Sequence, residues 1–192
     1  FGFNLFGRID RVDCVILSDS MKQKAIHDGI LSSSAEQRWI IIRDLKSLDG
    51  PKESNKGDRH RRGIFDEVQL ALYAKAWEKV NPNDRVVGVG ISEIGETTTH
   101  YVELDSSILP YVEDLSLGEL THYTAQHHRQ IGEQPPYSSN GFQAWLDERL
   151  RTASRALEHA KAGFVQPTPG KHCSYCSSRR MCPSAALGGD EN

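Results

Sequence analysis

The chain has 192 residues, 38% of them hydrophobic and 26% charged, with a net charge of −3 at neutral pH. This composition excludes a disordered chain, and no apolar run approaches the roughly 20 residues that a membrane-spanning helix needs. The mildly acidic balance supplies no global positive field, so any contact with nucleic acid must rest on local patches.

The length suits one domain with a real core and a small appendage. The opening, "FGFNLFGRID", lacks the basic region of a signal peptide, so a cytoplasmic location is expected. Because Phe1 leads almost at once into a strand pattern, the chain also reads as a segment of something longer.

In chain order, residues 1 to 17 alternate and then run apolar, which predicts one long bent strand or two strands broken near Gly7. The stretch from Ser18 to Gln37 is polar and irregular and reads as a loop or insertion. "RWIIIRDLKS" predicts a strand buried on both faces, with Ile40, Ile42, Asp44 and Lys46 on one side and Ile41 and Leu45 on the other. "PKESNKGDRHRRG" gathers Lys52, Lys56, Arg59, Arg61 and Arg62 and is either a local basic patch or a solvated loop. A helix is expected from Asp66 to Val80, where Gln69 and Tyr73, four apart, share a face. "RVVGVGISEIG" follows as a strand with Val87, Val89 and Ile91 on one side, and "TTTHYVEL" as its hairpin partner. Residues 106 to 130 are moderately helical in pattern. Residues 141 to 162 are strongly so, with a stripe of Leu146, Leu150, Ala153, Leu157 and Ala160 and a stop at Gly163. The order of strands and helices predicts a mixed α/β domain over 1–163, followed by a cysteine-rich segment over 164–192.

Two groups of residues could carry chemistry. Asp10 follows a glycine-marked bend, and Asp44 with Lys46 ends the buried strand. If those strands are antiparallel neighbours, both carboxylates lie within reach of one Mg²⁺ or Mn²⁺ ion, which favours oxygen ligands. Such a centre hydrolyses phosphodiesters, with the lysine orienting water or stabilising charge. Asp13, a little further along and read as sharing the face of Asp10, competes for the role. An Asp-x-Lys pair also occurs wherever a strand runs into water, and Gln69 with Tyr73 can equally be a plain polar pair. The second group is Cys173-x2-Cys176-x5-Cys182, three thiols close enough to wrap a metal or cluster. Cys14 lies in an apolar strand and reads as a buried thiol. The spacing does not suit a secreted disulfide framework.

Taken together, "GRID" at 7–10, "IIIRDLKS" at 40–47, "QLALY" at 69–73, "GFVQPTP" at 163–169 and "CSYCSSRRMC" at 173–182 resemble the PD-(D/E)XK nuclease superfamily, in particular its RecB/AddB-like branch. The resemblance implies a restriction-endonuclease-like α/β core, a mixed central sheet flanked by helices. In it Asp10 and Asp44 hold the divalent metal, Lys46 assists hydrolysis, and Gln69 and Tyr73 support the centre and the substrate strand. It favours Asp10 over Asp13. It implies that Cys173, Cys176 and Cys182, with a fourth cysteine upstream of this chain, hold a 4Fe-4S cluster. It further implies a DNA exonuclease in repair or recombination, working with a helicase or motor partner. The family's first helix and upstream cysteine have no counterpart here, so weak cleavage is expected of these residues alone. Two other readings stay open: a catalytically silent nuclease-fold module that binds DNA or a partner, and a zinc-dependent interaction domain, colourless where an iron-sulfur protein is brown.

Overall fold

The structure, a computed structural model, describes residues 6–33, 37–47, 56–66, 68–121, 141–164, 173, 176, 177 and 179–182. Five strands form one mixed sheet in the order of the chain: β1 (Arg11–Val15), β2 (Arg38–Ser47), β3 (Asp84–Ile94), β4 (Thr98–Leu104) and β5 (Glu119–Leu120). The pairs β1–β2 and β3–β4 are antiparallel, while β2–β3 and β4–β5 are parallel. Parallel neighbours cannot be joined by a tight turn, and the connection from β2 to β3 passes through two helices, α2 (Lys56–Asp66) and α3 (Gln69–Val80). The other α-helices among the described residues are α1 (Asp19–His27), the single turn α4 (Leu109–Val112) and α5 (Gly141–Lys161). This is the expected α/β architecture, a mixed sheet flanked by helices and consistent with a restriction-endonuclease-like fold.

Both faces of the sheet are covered, which is why β2 reads as an unbroken apolar run rather than an alternation. On one face Ile40, Ile42, Val86, Val89 and Ile91 pack against Ile64 of α2, Leu70, Ala71 and Ala74 of α3, and Phe142, Trp145 and Leu146 of α5. On the other, Trp39, Ile41, Val87, Val102 and Leu104 meet Ala25 of α1 and Tyr111 and Val112 of α4. Each large aliphatic side chain so buried stabilises the fold by roughly 1.5–3 kcal/mol. The expected grouping of Val87 with Val89 and Ile91 is corrected. The β2–β3 register shifts between Ile40 and Ile41, whose partners are Val86 and Gly88, so Val87 is the extra residue of a bulge and turns to the opposite core.

Several other expectations are corrected by local chemistry. Within the stretch from Ser18 to Gln37, residues 19–27 form α1 rather than loop: the Ser18 hydroxyl accepts from the Met21 amide at 3.4 Å, Asp19 suits the helix start, and Ala25 is buried. The strand expected over residues 1 to 17 is confined to Arg11–Val15 among the described residues. The single helix expected from Asp66 to Val80 is two, α2 ending at Asp66 and α3 starting at Gln69. Residues 106 to 121 hold a 3-10 turn, α4 and β5, and the rest of the moderately helical pattern lies outside the described residues. In α5, Leu146 and Leu150 are buried but Ala160 is exposed, so the stripe narrows towards the C-terminus, where Gly163 takes φ 80°.

Polar pairs fasten the elements. Tyr111 donates to Asp28 at 2.7 Å, joining α4 to the end of α1, and burial together with that carboxylate pushes the phenol up to about 12. At the start of β3, Asp84 accepts from Arg38 at 2.7 and 2.8 Å and from Trp77 Nε1 at 2.8 Å. Burial alone would raise the Asp84 carboxyl. The Arg38 and Trp77 hydrogen bonds and the Arg38 charge outweigh it and hold the group below its ordinary value of 3.8. A depressed carboxyl contributes stability that is present above its unfolded pKa and lost as pH falls through the folded one. Asp84→Asn is therefore expected to cost about 1–3 kcal/mol at neutral pH and to flatten the stability profile below about pH 4 in urea melts. An acid limb as steep as that of the wild type would remove Asp84 as its source.

By contacts the chain divides into Phe1–Ala153 and Ser154–Asn192. In the second unit the Phe164 amide returns to the His159 carbonyl at 2.9 Å. No helix among the described residues is long and apolar enough to cross a membrane.

Candidate functional site

The β1–β2 ladder pairs Arg11 with Arg43 and Val12 with Ile42, so the next step beyond the ladder sets Asp10 opposite Asp44. Asp10 Oδ2 accepts from the Leu45 amide at 3.1 Å, which ties its carboxylate to the backbone immediately after Asp44. Asp44 is buried, 6% exposed, whereas Asp10 is exposed, so the paired acids open to solvent on the Asp10 side.

Lys46 and Asp44 share a face by the two-residue period, and Lys46 Nζ lies 2.7 Å from Asp44 Oδ2. From above, α3 brings Gln69, whose Nε2 donates to Asp44 Oδ1 at 3.2 Å and to the Tyr73 hydroxyl at 3.0 Å. The four-residue spacing puts both side chains over the carboxylate. The bend before Asp10 closes on the same helix: a Cβ on Gly7 would sit 3.2 Å from the Tyr73 ring. Asp10 just before β1, Asp44 and Lys46 on β2, and Gln69 and Tyr73 on α3 thus stand together at one end of the sheet.

Asp13 does not join them. The register sets it opposite Ile41, whose side chain points to the other core, because three residues from Asp10 is an odd number of steps along a strand. There it pairs with Arg11 and Arg43, each at 2.7 Å. Burial would raise its carboxyl, but the two guanidinium groups together hold it below the ordinary value. Arg43 is 4% exposed, and Asp13 and the Leu117 carbonyl, at 2.6 Å, are what it binds. Cys14, expected to be buried, is exposed on the edge strand.

The basic stretch is partly used up in packing. Its residues 51 to 55, and the side chains of Lys56 and Arg59, lie outside what the structure describes. Arg61 stacks over the Tyr101 ring, 4.8 Å from its centroid, and pairs with Glu119, while Arg62 is exposed. Between them, His60 is buried at 8% exposure and its Nδ1 is bonded to Glu93, itself 5% exposed. Neither residue stands out in the sequence. The available signal is a lone acid, Glu93, two places after Ile91 on the core face of an apolar strand.

Two carboxylates suit a Mg²⁺ or Mn²⁺ ion that keeps its remaining positions for water and substrate phosphate. Asp10 Oδ1 bonds to no other group among the described residues, and both oxygens of Asp44 face polar partners, so this donor set fits a hard cation. Among the described residues, no three His, Cys, Asp or Glu side chains stand together as a complete metal cage. That holds for the tail too, where no disulfide forms. The Cys176 amide donates to the Cys173 carbonyl at 3.4 Å, and the Cys182 amide to the Arg179 carbonyl at 3.4 Å.

No curated protein and no solved structure matches the chain. The family profile described as the PD-(D/E)XK nuclease superfamily matches residues 1–183, taking in both acids, the lysine and the Gln69/Tyr73 helix, and the chain belongs to that superfamily.

Proposed function

We propose that the chain is a metal-dependent nuclease that hydrolyses DNA phosphodiesters, with Asp10 and Asp44 as metal ligands and Lys46 as the residue that orients the attacking water. The observation that carries this reading is the convergence of Asp10, Asp44 and Lys46 on one sheet end, with Lys46 Nζ 2.7 Å from Asp44. A bound divalent ion would supply an activated water and neutralise charge on the phosphate. The chain's own residues do the rest. Gln69 holds Asp44 in one rotamer, Tyr73 holds Gln69, and the Leu45 amide fixes Asp10. Lys46 places a positive charge where the phosphodiester gains negative charge.

The motif set favours the RecB/AddB-like branch, with the chain as the exonuclease domain of a helicase-nuclease in DNA repair. The cysteine spacing favours a thiolate centre, a 4Fe-4S cluster to which Cys173, Cys176 and Cys182 give three ligands. Iron rather than zinc in elemental analysis of anaerobically purified protein supports that assignment, and zinc overturns it.

The competing reading is a silent nuclease-fold module. A binding relic has no need of an acid pair with a lysine against it, which favours the enzyme. Mn²⁺ titration of the wild type and of Asp44→Ala separates the two. The enzyme reading expects affinity to fall about tenfold or more in the variant, and equal binding by both favours the silent module.

A further inference from the structure

Beside the acid pair lies a second pair of buried titratable groups. In the parallel β2–β3 ladder Lys46 is the partner of Glu93, and the strands run about 4.8 Å apart. Asp44 is the partner of Ile91, and Ile91 in turn of Tyr101 on β4. Tyr101 donates from its hydroxyl to Glu93 Oε2 at 3.5 Å, which links Glu93 to the neighbouring row of the sheet, the row that holds Asp44. Its other oxygen, Oε1, is bonded to His60 Nδ1 from α2. His60 Nε2 has no hydrogen-bond partner among the described residues, and the His60 side chain keeps 10% of its surface exposed. A carboxylate that fixes one ring nitrogen and leaves the other without a hydrogen bond orients an imidazole for proton transfer. An apolar pair of the same volume would fasten α2 to β3 as well as a buried acid and imidazole do, so the fold alone does not call for these two groups.

We propose that His60, oriented by Glu93, is the general acid of the nuclease, protonating the oxygen that leaves the phosphate. The proposal rests on the nuclease reading above and adds a residue to it. In the step, the oxygen of water bonds to phosphorus and the phosphorus–oxygen bond to the leaving nucleotide breaks. The bonding pair goes to that ester oxygen, which takes the proton from His60 Nε2. The proton shed by the attacking water returns the imidazole to its charged form through solvent. Glu93 keeps its hydrogen bond to Nδ1 throughout and stabilises the imidazolium.

The variant to make is His60→Asn, whose amide nitrogen takes the place of Nδ1 and keeps the bond to Glu93 while removing Nε2. Single-turnover cleavage with Mn²⁺ is measured on an ordinary DNA strand and on one whose scissile leaving oxygen is replaced by sulfur, a thiolate that departs without a proton. His60→Asn is expected to lose about a hundredfold on the oxygen substrate and to stay within about threefold of wild type on the sulfur substrate. Glu93→Gln is expected to show the same pattern in weaker form and to remove the low-field Nδ1 proton signal of His60 from the NMR spectrum. Equal loss on both substrates, or loss on neither, overturns the general acid and leaves the nuclease standing. A wild type that cleaves neither substrate overturns the nuclease reading, and the general acid with it.

Discussion

Asp44→Asn is expected to reduce DNA cleavage about a thousandfold while leaving the fold intact. The carboxylate is held from both sides, by Gln69 at 3.2 Å and Lys46 at 2.7 Å, towards the end of a strand whose residues Trp39 to Ile42 are buried and apolar. Asparagine fills the same volume and keeps an oxygen for Gln69, so packing is preserved. What is lost is one of two negative charges that would bind the metal. Metal-based charge stabilisation contributes several kcal/mol, and each ~1.4 kcal/mol is tenfold in rate. Cleavage assays and thermal melts on the same samples check this. A variant that melts with the wild type but cleaves as fast would remove Asp44 from the chemistry.

Gly90→Ala should be the most damaging small change in the sheet, costing about 3 kcal/mol or more. A Cβ at Gly90 would stand 2.2 Å from the Tyr101 carbonyl oxygen and 3.2 Å from the Val102 Cα, both backbone atoms of the adjacent strand. The β3–β4 ladder cannot yield there without breaking the pairing of Gly90 with Val102. Gly88 is the internal control. Its added Cβ would meet the Leu104 Cδ2 at 2.6 Å, the tip of a side chain that can rotate, so Gly88→Ala should cost about 1 kcal/mol. Urea denaturation of the two variants gives the comparison, and equal losses would mean that the strand pair is more pliable than its geometry implies. Because β3 carries Ile91 and Glu93 beside Asp44 and Lys46, a Gly90 variant that still folds should also cleave poorly.

The site is more legible in the sequence than its surroundings are. A continuous apolar run ending in Asp44-x-Lys46 marks both a strand buried on two sides and the place where it emerges, and one periodicity argument fixes which residues share the acid's face. The same periodicity, applied to an interval of three, turns Asp13 away from Asp10, so that distinction too is present in the spacing. Other features depend on partners distant in sequence. The bulge that sends Val87 to the opposite core exists only in the pairing of β3 with β2. Helix α1 has a weakly patterned face and is recognisable chiefly by its Ser18 cap and Asp19. His60 is hidden in a run of basic residues whose composition suggests solvent, and only the fold shows that α2 turns it inwards onto Glu93. Arg61, next in the chain, illustrates the same limit: a guanidinium counted towards a basic patch is spent on an aromatic ring and a carboxylate.

The central claim is that Lys46, held against Asp44, belongs to a phosphodiester-cleaving centre. Its most direct test is Mg²⁺-dependent cleavage of DNA by the 192-residue chain and by Lys46→Ala, at matched concentration and with folding verified by circular dichroism. Weak, chelator-sensitive cleavage by the wild type is expected, falling about a hundredfold or more in the variant. Robust Mg²⁺-dependent cleavage, undiminished by Lys46→Ala, would contradict it.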